Sequence, residues 1–384
     1  MTRFRSLGLS LLAAGTLAAC DSAETPATGD DLSAVETSAL VVADGVVGSR
    51  FQPVAEGDLT FRSAASAKAG VSLTPLYNVL APEGTHATHL TLSDGVLSGS
   101  YLIPGIEFGG GFDQIDVSDP GESSNAFTAP YLDLAEVTYR GSDLYTSGSL
   151  ETEHPDVADF DFESKAIFTR LSSSGTRVVD LSSDFVMDAV YPGSGNYFYA
   201  VTGVDGDVYR IHRSSLSAQT VATAYDLRSV AYVDGDLVVL DGAGAVYRTE
   251  ARKNAGIGEQ IHAVEAFTHG AIAKMHVDEQ ERVYVPNGPT GFDVITPDGE
   301  LLAQAESGAV KSLVTAGDLV FVANSDGGVL VMQWSLAGDA LDAVGVLAFP
   351  EGSQVNHVEV DGDTLYVAAG ASGIFAIQVS STPA

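Results

Sequence analysis

Residues 355–380 read VNHVEVDGDTLYVAAGASGIFAIQVS, and the fold turns on them. The stretch divides into three apolar-rich runs, VNHVEV, TLYVAA and IFAIQVS, separated by Asp361-Gly362 and by GASG at 370–373. Tight reversals need residues that tolerate positive φ, which Gly and Asp do, so the pattern predicts a meander of three short strands.

Variants of this unit recur along the chain. They begin ALVVADGVVGSRF at Ala39, HLTLSDGVLSGSY at His89, EVTYRGSDLYTSG at Glu136 and MDAVYPGSGNYFYAVTG at Met187. Four more begin SVAYVDGDLVVLDG at Ser229, KMHVDEQERVYVPNG at Lys274, KSLVTAGDLVFVANS at Lys311 and NHVEVDGDTLYVAAG at Asn356. An equivalent second-strand residue falls at Val47, Leu97, Tyr145, Tyr199, Val239, Tyr284, Phe321 and Tyr366. Intervals of about 40–50 residues with several strands per unit are the mark of propeller blades. β-branched and aromatic runs, Gly-rich turns and the lack of 3.6-residue stripes exclude helical solenoids. Second strands such as LVVL and LVFVA are apolar on consecutive residues, as expected where neighbouring blades cover both faces of a sheet. The fold class expected is therefore all-β, a β-propeller of seven or eight blades. Counting 39–51 as a unit gives eight, the reading adopted here. Without it the ring has seven, and VSLTPLYNVL at 71–80 is the segment that would complete the last blade, whose outer edge would otherwise be left open.

A third strand follows most units, as in GFDQIDVSDP from Gly111, GFDVITPDG from Gly291 and GIFAIQVSS from Gly373. On these segments the chain resembles the LVIVD-repeat and related WD40-like bacterial propellers. The likeness spans nearly all of 39–384, but the motif is degenerate and implies a fold far more than a function.

The chain opens MTRFRSLGLSLLAAGTLAAC. Arg3 and Arg5 precede an apolar run, 7–17, too short to span a ~30 Å hydrocarbon core permanently. Leu17-Ala18-Ala19-Cys20 resembles the bacterial lipobox, and Cys20 is the one cysteine in the chain. The resemblance implies removal of a signal peptide, 1–19, and lipidation at Cys20, with two kinds of acyl attachment giving stable anchoring. Residues 20–38 are rich in Ser, Thr, Ala and acid, a composition that cannot offset chain entropy, so they are expected to be a flexible acidic tether. Asp21 resembles an inner-membrane retention signal of enteric bacteria; in other lineages acids at this place resemble a surface-export signal.

The remaining ~360 residues suit one large repeat domain or two ordinary ones. With 51 acids against 18 bases, five of them Lys, the net charge is −33. Such a surface repels nucleic acid and anionic headgroups, so no nucleic-acid partner is expected, and membrane contact is left to the lipid anchor. Acid excess spread along the chain with few lysines also resembles halophilic proteins.

Two units carry insertions between second and third strands, LIPGIEFGG at 102–110 and ETEHPDVADFDFES at 151–164. Equivalent loops project from one end of a propeller, so Ile106, Phe108, Glu151 and His154 are the expected binding face. Asp156, Asp159, Asp161 and Glu163 are spaced to offer oxygens to Ca²⁺, although the EF-hand's glycine and closing glutamate are missing; in a chain this acidic a solvated surface loop is the preferred reading. His86, His89, His276 and His357 lie on or before first strands, where imidazoles could meet at a channel, either as metal ligands or as hydrogen-bonded structural groups. No GxSxG or P-loop is present, and no cysteine remains once Cys20 is lipidated. Trp334, the one tryptophan, reads as packing. The expectation is an envelope-anchored lipoprotein, a non-catalytic propeller scaffold without cofactor that binds an envelope protein or glycan. The alternative is a metal-dependent hydrolase or lactonase-like enzyme.

Overall fold

In the computed structural model, the turn at Asp361-Gly362 joins His357–Asp361 to Thr364–Ala368, and a second turn leads into Ile374–Thr382. The strands pair antiparallel, with Val360 opposite Leu365 and Val367 opposite Phe375. Gly373 holds a positive φ in the second turn, and a Cβ there would stand 2.1 Å from the Val79 carbonyl oxygen, so the turn requires a bare backbone. The structure describes residues 32–382 apart from 38–40, 55–56, 65–69, 106–107, 122–124, 141–142, 156, 158–161, 163, 173–174, 194, 204–205, 268–272, 326–327 and 339.

Seven such sheets form the ring. Named by their innermost strands, blades 1 to 7 begin with His86–Ser93, Leu132–Arg140, Val186–Val190, Leu227–Val233, His276–Val277, Val310–Ala316 and His357–Asp361. A hydrophobic cluster lies at every interface between neighbouring blades, blade 7 against blade 1 included. The consecutive apolar residues of the second strands follow from this. In blade 4, Leu237 and Val239 pack towards blade 3 while Val238 and Leu240 pack towards blade 5. Successive side chains on a strand point to opposite faces, and here both faces are core.

The expectation of eight blades is corrected to seven. Residues 39–51 resemble a unit in sequence, but Asp44-Gly45 lies inside the strand Val42–Val46, at a bulge, and makes no hairpin turn. Their strands serve instead as edges of other sheets. Val42–Val46 pairs with Asn125–Ala129 at the rim of blade 1, and Phe51–Gln52 pairs with Gly70–Val79 at the rim of blade 7. The closing segment is the one expected for seven blades: Gly70–Val79 runs antiparallel to Ile374–Thr382, from Val79 opposite Ile374 to Gly70 opposite Thr382.

The N-terminal stretch thus forms a belt around the rim. Leu32 bridges to Ala218 of blade 3, and Val35–Thr37 pairs with Gly175–Asp180 of blade 2. The chain then passes blades 1 and 7 and adds Thr60–Ser63 to Leu341–Ala348 of blade 6 before turning back to close blade 7. Ordered pairing therefore begins inside the segment expected as tether. Each added strand covers a row of backbone groups that would otherwise template association with other chains.

Arg50 pins the belt. It donates to the Leu80 carbonyl at 2.6 Å and to Asp113 of the GFDQIDVSDP segment, while the Tyr101 hydroxyl donates to the other Asp113 oxygen at 2.6 Å. Asp113 is 1% exposed, and burial pushes its carboxyl up against the opposing pull of Arg50. Arg50→Met should cost about 3–5 kcal/mol, because a buried carboxylate loses its counter-charge. Urea unfolding at pH 7 reads this; an unchanged midpoint would show that the belt is not held at this point.

Candidate functional site

Seven polar residues face one another across the axis. In five inner strands a bulge precedes the residue concerned, at Ala87/His89, Leu134/Glu136, Val186/Asp188, Leu227/Ser229 and Val310/Ser312. A bulge re-aims the adjoining side chains, and its recurrence places His89, Glu136, Asp188, Ser229 and Ser312 at one level. Lys274 and His357 take the corresponding places in blades 5 and 7. Several of these side chains latch the next blade. Asp188 accepts from the Ser229 hydroxyl at 2.5 Å and from the Val230 N–H at 3.0 Å. The Ser229 hydroxyl accepts from Met275 N–H at 2.9 Å, and that of Ser312 from Val358 N–H at 3.1 Å.

Lys274 is the charged centre. Its ammonium donates to Glu136 and stands 3.3 Å from Asp188 Oδ1. Burial alone would lower the Lys274 pKa, but the two carboxylates outweigh it and hold the ammonium above its ordinary range. Burial pushes Glu136 well up, against Lys274, and Asp188 lies within hydrogen-bonding reach of it. His89 Nε2 is 3.6 Å from Glu136, and its ring meets His357 edge-on at 4.0 Å. Burial and the Lys274 charge keep both imidazoles neutral, and burial brings His276 down to about 4.

Towards the end of the ring where first and second strands turn, the ring residues floor a cavity of about 420 Å³ whose wall includes Arg140, Tyr191, Tyr232, His276 and Glu359. Burial raises Glu359 to about 7 from an ordinary value of 4.5. A raised folded-state pKa means that the unfolded chain releases its proton first, so stability falls as pH rises through the window from 4.5 to about 7. Glu359→Gln should therefore match the parent at pH 4 and gain an advantage that grows to a plateau above pH 7. Thermal unfolding at a series of pH values tests it, and a pH-independent difference would contradict it.

The expected site residues fall elsewhere. Cys20, Ile106, Asp156, Asp159, Asp161 and Glu163 lie outside the described residues. Phe108 lies under the Lys165 ammonium, 5.7 Å away, and Gly109 N–H donates to Asp133 at 3.2 Å, joining the blade 1 insert to blade 2. His154 stacks on Tyr131 at 4.2 Å, and Glu151 N–H donates to the Tyr131 carbonyl at 2.9 Å. Of the four histidines, His89 and His357 meet; His276 contacts Thr315 at 3.0 Å, and His86 pairs in the sheet with Leu102. Among the described residues no group of three or more His, Cys, Asp or Glu is disposed to hold a metal. Glu136, Asp188 and Lys274 were missed. Their signal was in the repeats, since nearly every copy has a polar residue at this place, followed by an apolar one.

No family model matches the chain, and no curated protein matches it. Solved structures do. A catalytically inactive virginiamycin B lyase from Staphylococcus aureus, with quinupristin, aligns at TM-score 0.58 and 12% identity over 80% of this chain and 99% of that one. The likeness is one of fold. RRP9 WD40 repeats align at 0.58 and 12% over 86% and 100%, and YCF48 bound to D1 peptide at 0.54 and 12% over 85% and 99%. Enzymes and binding scaffolds thus share the architecture, and what this chain shares with them is the β-propeller fold.

Proposed function

We propose that the chain is a lipoprotein of a bacterial envelope, anchored through Cys20, whose propeller binds another protein across the end that carries the inserts. The observation that carries the reading is the joining of the two inserts: Lys165 over Phe108 and Gly109 bound to Asp133 make one surface from blades 1 and 2. Second strands run antiparallel to first strands, so both inserts leave at the end where the inner strands begin. A peptide on a propeller of similar fold supports a protein ligand. A photo-crosslinking residue at position 108, with a control at Asp318 at the opposite end, tests the reading in cells. A discrete crosslinked protein from 108 alone is expected, and equal or absent crosslinking from both would overturn it. Anchoring is tested separately by Cys20→Ala, which should abolish labelling by a palmitate analogue.

A second reading, a hydrolase or lactonase-like enzyme, draws on the buried Lys274 and Glu136 beside the 420 Å³ cavity, because perturbed titratable groups next to a cavity mark candidate catalytic sites. Ester or lactone turnover that is lost in a folded Glu136→Gln variant would establish it.

A further inference from the structure

We propose that the insert end of the channel holds a binding site for a compact oxyanion, a carboxylate or phosphate group, built by Lys311, Lys274, His357 and Asn356. The inference is independent of the protein-binding reading. A niche of about 50 Å³, lined by Thr88, Lys274, Lys311, Asn356 and His357, lies across the ring from the larger cavity, with Lys274 and His357 lining both. Thr88, Lys311 and Asn356 each precede the ring residue of their strand, which puts the niche on the side of the inserts. Thr88 and Lys311 are also the extra residues of two bulges, the device that turns side chains off the regular alternation.

The chain has five lysines, and two of them line this niche. Lys274 N–H donates to the Lys311 carbonyl at 2.9 Å, which fixes the two strands side by side. Lys274 directs its ammonium at Glu136 and Asp188, leaving one of its three donors over. Among the described residues the Lys311 ammonium makes no ion pair or side-chain hydrogen bond, in a chain where acids outnumber bases 51 to 18. Burial lowers its pKa with nothing opposing. His357 Nδ1 is buried and unpartnered. Asn356 is held in place by donating to the Ala87 carbonyl at 2.8 Å.

The charges add to the case. Lys274 already has Glu136 and Asp188 as its own counter-charges, and burial with the Lys274 charge keeps His89 and His357 neutral. The Lys311 ammonium has no ion-pair partner of its own in the niche, and an anion is the complementary occupant. An oxyanion has oxygens enough for Lys311, for the remaining Lys274 donor and for His357 as its Nδ1–H tautomer. The volume admits a compact head group, and anything attached to it must extend towards the inserts.

The small lysine count makes the test readable. In the full chain labelled with ¹³C-lysine, the Cε resonances are followed while sodium acetate, or in a second arm inorganic phosphate, replaces chloride at constant ionic strength. Saturable shifts of Lys311 and Lys274, with Lys165 and Lys253 unmoved, are expected in at least one arm, and the arm that saturates lower names the head group. Shifts that stay linear, that affect all lysines alike, or that fail in both arms would overturn the proposal. Lys311→Met should weaken the Lys274 response at least tenfold, while Lys311→Arg keeps it. If Lys311→Met does not fold, Asn356→Asp places a negative charge in the niche and should have the same effect.

Discussion

A chain lacking residues 32–80 is expected to lose its cooperative thermal transition, because blade 7 then ends at Ile374–Thr382 with an open edge. The closing strand Gly70–Val79 buries Val71, Tyr77 and Val79, which are 8%, 9% and 0% exposed. At about 1.5–3 kcal/mol per buried side chain, these three contribute roughly 5–9 kcal/mol, a large part of the ~5–15 kcal/mol that holds a typical protein folded. The loss also opens the interface of blade 7 with blade 1, where Tyr77 and Val79 pack with Leu90 and Tyr101. A deletion of 32–63 alone spares the closing strand. It should leave a folded ring of lower Tm that associates through the uncovered edges of blades 1, 2, 6 and 7. Circular dichroism melts and size-exclusion chromatography separate the two outcomes. A cooperative, monomeric melt of the longer deletion would show that the last blade closes without its fourth strand.

Lys274→Met should be nearly as costly. It leaves Glu136 and Asp188 facing each other in the buried ring without their cation. Breaking such a pair costs about 3–5 kcal/mol, which corresponds to a fall in Tm of roughly 10 °C. The sign with pH follows from the carboxyls. The Glu136 carboxyl, already raised by burial, is raised further once the ammonium is gone, so its protonation relieves the repulsion and the loss should be larger at pH 8 than at pH 5. Adding Glu136→Gln should restore much of the stability at pH 8. A loss independent of pH would mean that the side-chain stem, and not its charge, matters here.

The architecture was legible because its signal is local and repeated. Turns such as Asp234-Gly235 and Asp361-Gly362 must be written in Gly and Asp, and strands buried on both faces must be apolar on consecutive residues. Blade number was harder, since 39–51 has the composition of a blade's first hairpin and differs only in which edge it meets, a long-range choice. The ring was harder still. His89, Glu136, Asp188 and Lys274 are separated by tens of residues and become neighbours only when the circle closes. Attention to histidine picked out His86, which lies away from the ring, and passed over Lys274, which organises it. The inserts drew notice through length, and length says nothing of contacts such as Lys165 with Phe108.

The belt also sets the order in which the molecule would yield to a pull. Tension applied at Leu32 reaches the ring in series, first at the bridge to blade 3, then at the rims of blades 2 and 1. Next comes the Arg50 clamp on Asp113, and then the short pairings on blades 7 and 6. The strand that closes the circle comes last. Each earlier attachment is a sacrificial link that can part and re-form while the circle stays intact, so the rim behaves as a shock absorber for the core.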